Sequence, residues 1–342
     1  MKEKRKLKFA ILFFVMVFVL AGCGAGNGAE DRVEEPGNQA KVQKEIFAMD
    51  TIMSLTAYGD RAEDAMAEAV TQIQDLERKF SVTDLSSDTA KLNAANGKAV
   101  TVSADTYSLV GQCQKISEST GGLFDISIYP LVKAWGFTTD STHVPSEEER
   151  KKALSYVNYK NIKRLPESRI QMPEGMQIDL GAAAKGYLSQ KLMELFHKCG
   201  VDSAIVSLGG NVQTIGQKQD GSEFVVGLTD PADGTSIYGT LQVRDKAVVT
   251  SGIYQRYFEE NGVRYHHIMD KRTGMPAENS LASVTVIAEN GTEADALATA
   301  LYVMGEKRAA AYQKEHPEIA LVLIRKDGSF WQSDNVDLKR ED

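Results

Sequence analysis

Only three cysteines and five histidines occur in 342 residues. The first cysteine, Cys23, closes a leader-like segment, so the body of the chain keeps just Cys113 and Cys199. Two such thiols could pair outside a reducing compartment or stay free, and a chain of this length does not need the staple. No Cys/His spacing suits a zinc site, and no G-x-S-x-G elbow marks a serine hydrolase. No internal repeat is present, which argues against solenoid and propeller arrays. Positive charge is short too, with 39 Lys and Arg against 47 Asp and Glu.

The one long apolar run stands at the very start. "MKEKRKLK" is a basic block, and "FAILFFVMVFVLAG" is an apolar block too short for a comfortable membrane span. It ends in "LAGC", which resembles a bacterial lipobox with Cys23 as the lipidated residue. An uncleaved anchor helix or a plain secretory signal are the alternatives. On the lipobox reading residues 1–22 are a signal peptide, and the mature protein sits on the extracytoplasmic face of a bacterial membrane. Losing five basic residues and one acidic residue takes the formal charge from −8 to −12. An exported chain that acidic is a poor partner for nucleic acid.

Residues 23–45 are Gly-rich, charged and aperiodic, and read as a flexible tether. From 46 to 335 the chain reads as one mixed globular body. A strand is expected over 47–59, a strong amphipathic helix over 62–80, and capped helices in "SSDTAKLNAANG" and "SADTYSLVGQCQKISESTGG". The charged stretch after 145 reads as a surface helix, and "MQIDLGAAAKGYLSQKLMELFHKCG" as a strand turning into a helix. "SAIVSLGGNVQTIG", "EFVVGLTDP", "YGTLQVRDKAVVTSG", "RYHHIMD", "LASVTVIA" and "IALVLIRKDG" are strand-like. Without a repeating βα unit, this favours α+β with much antiparallel sheet.

Several stretches carry chemistry. In "GTEADALATALYVMG" (291–305), Asp295 and Thr299 are four apart, so they share one helix face among alanines. The bland alternative is a capping box running from Thr292 to Asp295, with Thr299 bonding back to a helix carbonyl. In "IDLGAAAKGYLSQ" (178–190), small residues followed by Lys185 suit close approach of a phosphate, or simply tight packing with a solvated lysine. "SLGGN" (207–211) and "VVTSG" (248–252) offer main-chain N–H and hydroxyl donors, or are hairpin turns. "RYHHIMDKRTG" (264–274) puts two histidines on opposite faces of a strand, with Asp270 close by, as candidate acid–base groups. "GGLFDISIYPLVKAWGF" (121–137) sets aromatic surface beside a carboxylate, as a flat polar-edged ligand would require, or as core packing does. Hard oxygen donors of this kind favour Mg²⁺ held jointly with a substrate phosphate.

These motifs occur in the order found in the ApbE-type flavin transferases (FAD:protein FMN transferases), which the chain resembles from about 46 to 325. "MDTIMSL", "FSVTDLSSDTAKLN", "GGLFDISIYPLVKAWGF", "IDLGAAAKGY", "SLGGN", "VVTSGIYQRYF", "YHHIMDKRTGMP" and "SVTVIAENGTEADALATALYVMG" carry the resemblance. It implies an α+β fold of mixed or antiparallel sheets flanked by helices, holding FAD as substrate in a cleft between two subdomains. It also implies one Mg²⁺, held by the Asp295 carboxylate, the Thr299 hydroxyl and the Ala182 carbonyl. FAD contacts would come from Met49, Thr83, Leu123, Phe124, Asp125, Asp179, Lys185, Gly209, Gly210, Ser251 and His267. His267 would be the base for the incoming hydroxyl, with Asp270 orienting it.

The implied acceptor is an exported or membrane flavoprotein of respiratory electron transfer with a Thr-containing motif. The reaction would leave FMN on that threonine as a phosphoester and release AMP. A Mg²⁺-dependent FAD pyrophosphatase and a flavin-binding lipoprotein without turnover are the other two readings. The chain departs from the usual pattern at Asp50, where Gly is common, and at Lys271, where Pro often follows the acid. It departs again at Ala298, where some members carry a second metal-site acid. Members also differ at Thr83.

Overall fold

The computed structural model describes residues 40–139 and 141–340. The signal segment, Cys23 and the tether up to residue 39 lie outside the described residues. The folded body begins ahead of the expected boundary at 46, because β1 (Lys41–Ala48) pairs along its whole length with β2 (Thr51–Tyr58). The single strand expected over 47–59 is therefore half of a hairpin. Its two turn residues, Met49 and Asp50, have φ of 48° and 60°. A left-handed turn matches the twist of the flanking strands but is normally made by Gly or Asn, so Met49 and Asp50 do not mark it by residue type.

The helices α1 (Ala62–Phe80), α2 (Asp88–Asn93) and α3 (Ala104–Ser119) follow, with β3 (Val100–Thr101) between the last two. Ser87 and Ser103 cap α2 and α3 by accepting the N–H of Ala90 and Thr106. Next come α4 (Tyr129–Ala134), α5 (Glu147–Leu154), β4 (Lys163–Leu165), β5 (Arg169–Gln171) and α6 (Gly181–Lys198). The "MQID" stretch before α6 forms no strand, contrary to expectation; its Ile178 N–H donates to Asn93 Oδ1 and its Asp179 N–H to the Ile126 carbonyl.

The remainder is strand-rich: β6 (Ser203–Leu208), β7 (Asn211–Ile215), β8 (Phe224–Thr229), β9 (Ile237–Val243), β10 (Ala247–Gly252), β11 (Tyr257–Glu260) and β12 (Val263–His266). These are followed by β13 (Met269–Asp270), β14 (Met275–Pro276), β15 (Leu281–Ala288), α7 (Gly291–Met304), α8 (Glu306–Glu315), β16 (Ala320–Arg325), β17 (Phe330–Gln332) and β18 (Lys339–Arg340).

The main sheet has eight strands in the order β1-β2-β6-β7-β10-β15-β16-β17, each pairing antiparallel. Alternation sorts its side chains. Val206, Leu208, Val249, Val284 and Val286 join the core beneath α1, α3, α6 and α7. Ile205, Val212, Val248 and Ile287 face the other way, onto the three-stranded sheet β18-β9-β8. A third cluster around Trp135, Phe137, Phe258 and Met269 forms a smaller lobe. The Trp135 indole donates to the Gly274 carbonyl, so its burial leaves no N–H unpaired. The α+β expectation therefore holds, with the sheet covered on both faces.

Candidate active site

Two helices start beside one end of the main sheet and bring the candidate residues together. On α7 the carboxylate of Asp295 is buried, and its Oδ2 accepts the Gly186 N–H of α6 at 2.8 Å. The helices can approach so closely because both carry glycine at the crossing. A Cβ on Gly186 would lie 2.1 Å from the Gly291 carbonyl oxygen and 2.6 Å from the Asp295 Cβ. One turn along α7 the Thr299 hydroxyl meets the Ser251 hydroxyl of β10 at 3.2 Å. The capping-box alternative is overturned: Asn290 caps α7 by accepting the Glu293 N–H, and the Thr292 hydroxyl is buried without a partner among the described residues.

Burial raises the carboxyl pKa of Asp295, opposed by the Lys185 ammonium and the Gly186 N–H. Asp179, just before α6, is raised for the same reason, opposed by its bond from the Gly181 N–H and by Arg256 and Lys185. The lysine charge reaches His267 as well. Lys185 thus sits within electrostatic range of three expected site residues, and Arg256 acts more strongly than it on Asp179 and His267.

His267 Nδ1 lies 3.1 Å from the Arg256 carbonyl, which can only accept, so Nδ1 carries the proton and Nε2 keeps its lone pair. Burial, and then the Arg256 charge, push the imidazole down to about 3, so the ring is neutral at physiological pH. Arg256 also donates to the Phe137 carbonyl at 2.5 Å, tying His267 to the small lobe. The neighbouring His266 faces away. It meets the Ala277 carbonyl through Nε2 and packs edge-on against Tyr302.

Two expected site carboxylates are engaged by other groups of the chain. Asp270 does not orient His267, because its carboxylate is held by the Arg272 guanidinium at 2.6–3.0 Å and by the Arg272 N–H. The group that fixes the imidazole is the Arg256 carbonyl. Asp125 has no oxygen left over for a ligand. Oδ1 takes the Ser127 N–H and hydroxyl, while Oδ2 takes the Tyr159 N–H and the Lys271 ammonium at 2.7 Å. Leu123 and Phe124 are core side chains, so only their backbone could meet a ligand.

The glycine and turn residues fall where a phosphate could approach backbone. Gly209 and Gly210 both have positive φ and form the two-residue turn from β6 to β7. A Cβ on Gly209 would strike the Thr51 hydroxyl at 2.2 Å, so this turn lies against the Met49–Asp50 turn. The Gly210 carbonyl accepts the Thr250 N–H, which brings it beside Ser251. Thr83 is exposed on the loop after α1, with its hydroxyl 3.2 Å from that of Ser81. Cys113 and Cys199 are both free, and Cys113 is buried.

Sequence reasoning missed Gly186 and Arg256. Gly186 was signalled by the small-residue run. Arg256 carried no signal. Among the described residues no three His, Cys, Asp or Glu side chains converge as a metal cluster. A cation here would have one carboxylate, a hydroxyl and main-chain oxygen, and would need further oxygens from a ligand, as Mg²⁺ on a pyrophosphate does.

A sequence model described as the ApbE family matches residues 49–323. The chain is 35% identical over 315 residues to the FAD:protein FMN transferase of Treponema pallidum, covering 85% of this chain and 87% of the relative. It is 34% identical to a Klebsiella pneumoniae FAD:protein FMN transferase, covering 78% and 84%. The crystal structure of the ApbE protein from Thermotoga maritima superposes with a TM-score of 0.81 at 33% identity, covering 86% of this chain and 97% of that one. The apo form of Pseudomonas stutzeri flavinyl transferase ApbE gives 0.78 at 25% identity, covering 88% and 96%.

Proposed function

This chain belongs to the ApbE family, and on that premise we propose that it is an FAD:protein FMN transferase acting on an exported or membrane flavoprotein. The observation that carries the reading is the buried Asp295 carboxylate, with Thr299 one turn along α7 and Lys185 within electrostatic range.

The residues fit a Mg²⁺ ion. Asp295, Thr299 and the Ala182 carbonyl would hold it. In a regular helix the donor to the Ala182 carbonyl is the Gly186 N–H. That N–H points to Asp295, so the carbonyl does not have this donor to itself. When bound, Mg²⁺ supplies positive charge against the pyrophosphate oxygens.

The chain's own groups account for the rest. Lys185 offsets phosphate charge at the start of α6, where helix N–H groups also favour anions. The Gly209–Gly210 turn lets backbone approach the ligand without a Cβ in the way. A threonine hydroxyl of the acceptor attacks the FMN-side phosphorus, the bond to the AMP phosphate breaks, and AMP leaves. His267 Nε2 takes the hydroxyl proton. A ring pushed down to about 3 is a weak base in the free protein, and the negative pyrophosphate would raise it.

Lipid attachment at Cys23 would keep the enzyme on the extracytoplasmic membrane face, beside its acceptors. The order of basic, apolar and small-residue blocks supports this.

The test incubates the full-length chain in detergent with FAD and Mg²⁺, with and without a peptide bearing a Thr acceptor motif. AMP release accompanied by an FMN-sized mass gain on the peptide, both lost in Asp295→Ala, is the expected result. AMP and free FMN without any mass gain would make the protein a pyrophosphatase instead. No AMP under any condition would leave a flavin binder.

A further inference from the structure

Asn211 is fully buried, yet neither its Oδ1 nor its Nδ2 has a hydrogen-bond partner among the described residues. Buried amides are almost always paired, so both ends of this one standing empty calls for a ligand. Its place follows from register. On β7 and β10, Gln213 pairs with Ala247 and Asn211 with Val249, and Ser251 is two residues further on the same face as Val249. Helix α7 lies across that face and is pinned at two points. A Cβ on Gly291 would sit 2.4 Å from Gln213 Oε1, and Thr299 meets Ser251 at 3.2 Å. Asp295 is midway between those points. Four helical residues rise about 6 Å and two strand residues about 6.8 Å, so the step from Gln213 to Asn211 matches the step from Gly291 to Asp295.

We infer that the Asn211 carboxamide is a further group of the metal–pyrophosphate site, level with Asp295 on the sheet beneath α7. This rests on the reading of the site given above. With the ion and its ligand bound, Oδ1 would accept from a water and Nδ2 would donate to a pyrophosphate oxygen, once the overlying helix gives way enough to admit them to atoms that are now enclosed. The side chain positions the ion and its ligand without being a direct metal ligand. It is a binding residue beyond those the motifs point to.

The test uses the full-length chain in detergent, with Mn²⁺ in place of Mg²⁺ and ADP as an inert pyrophosphate probe. Bound Mn²⁺ is read from the loss of the free-ion EPR signal, and the melting midpoint is read without metal. Asn211→Leu removes both polar ends at similar volume. The expected result is Mn²⁺ affinity weakened about tenfold or more, as for groups that act on a metal through its water or neighbours. The metal-free midpoint should be unchanged or raised.

Affinity within twofold of the parent overturns the inference, and a lowered midpoint alongside it would assign Asn211 to the fold. Should Asn211→Leu not fold, Asn211→Asp serves. It should tighten Mn²⁺ alone through added charge and weaken ADP by removing the donor, and absence of both shifts overturns the inference. Asp295→Ala separates the two levels. If it too binds Mn²⁺ like the parent, the metal-site reading fails; if it alone loses the ion, only the role of Asn211 fails.

Discussion

The Gly186 N–H donates to Asp295 Oδ2 at 2.8 Å, joining residues 109 positions apart across the α6–α7 contact. One bond does two things. It holds a buried carboxylate in place, and it shares the helical donor of the Ala182 carbonyl with that carboxylate. Two of the three oxygens expected to meet the cation are thereby shaped by a single amide.

Asp295→Asn separates these functions. The side-chain oxygen can still accept the Gly186 N–H, but the negative charge is gone. AMP release from FAD should fall by about 100-fold or more, the scale expected when an essential electrostatic group is removed. The melting midpoint should hold or rise, because burial disfavours the ionised form of the native residue. A chromatographic AMP assay beside a thermal melt checks both.

Gly186→Ala tests the close crossing. The new methyl would meet the Gly291 carbonyl oxygen at 2.1 Å, and backbone cannot swing aside as a flexible side chain can. Overpacking of this kind costs about 1–3 kcal/mol. Urea unfolding should show the loss, and activity should fall with it because Asp295 moves.

The Asp125–Lys271 pair is a buried ion pair that ties the segment after Gly122 to the turn after Met269. The Asp125 side chain is 1% exposed, and Lys271 supplies its counter-charge from 146 residues away. Lys271→Met strands that charge, at a cost of about 3–5 kcal/mol. Adding Asp125→Asn should recover part of the loss, and a double-mutant cycle would read the coupling.

Acid should weaken the fold through His266. Burial pushes its imidazole down to about 4, against an ordinary value near 6.5. The unfolded chain therefore takes up the proton first, and stability falls as pH drops from about 6.5 toward 4. The raised carboxyls of Asp179 and Asp295 act in the opposite sense, since the folded state protonates them first as pH falls. His267, pushed down to about 3, acts in the same sense as His266 over this range, so His266→Gln should lessen the loss of stability between pH 6.5 and 4 by the share of His266 and leave that of His267, measured by denaturant titration across that range.

Much of this was legible in the sequence where pattern and chemistry coincide. The apolar period of α1, the serine caps of α2 and α3, and the shared face of Asp295 and Thr299 all depend on near neighbours in the chain. What escaped depends on distant partners. Asp125 reads as a ligand until Lys271 is seen against it, and Asp270 as an orienter until Arg272 is. The Met49–Asp50 turn escaped for a different reason. Its left-handed backbone is imposed by the β1–β2 pairing and the Met49 N–H bond to Glu77, not by its own residue types. Asp50 standing where Gly is common marks that conformation in retrospect.

The contact of α6 with α7 at Gly186 and Gly291 makes the start of α7 a measured length. Each residue added to a helix turns everything beyond it by about 100°. One inserted between Gly291 and Asp295 would leave the glycine contact intact and swing the carboxylate off the face it shares with α6. The same insertion past Thr299 would leave the site untouched. Over this one stretch, spacing is as binding a constraint as chemistry, and relatives of this chain should tolerate exchanged side chains there far more readily than a changed count.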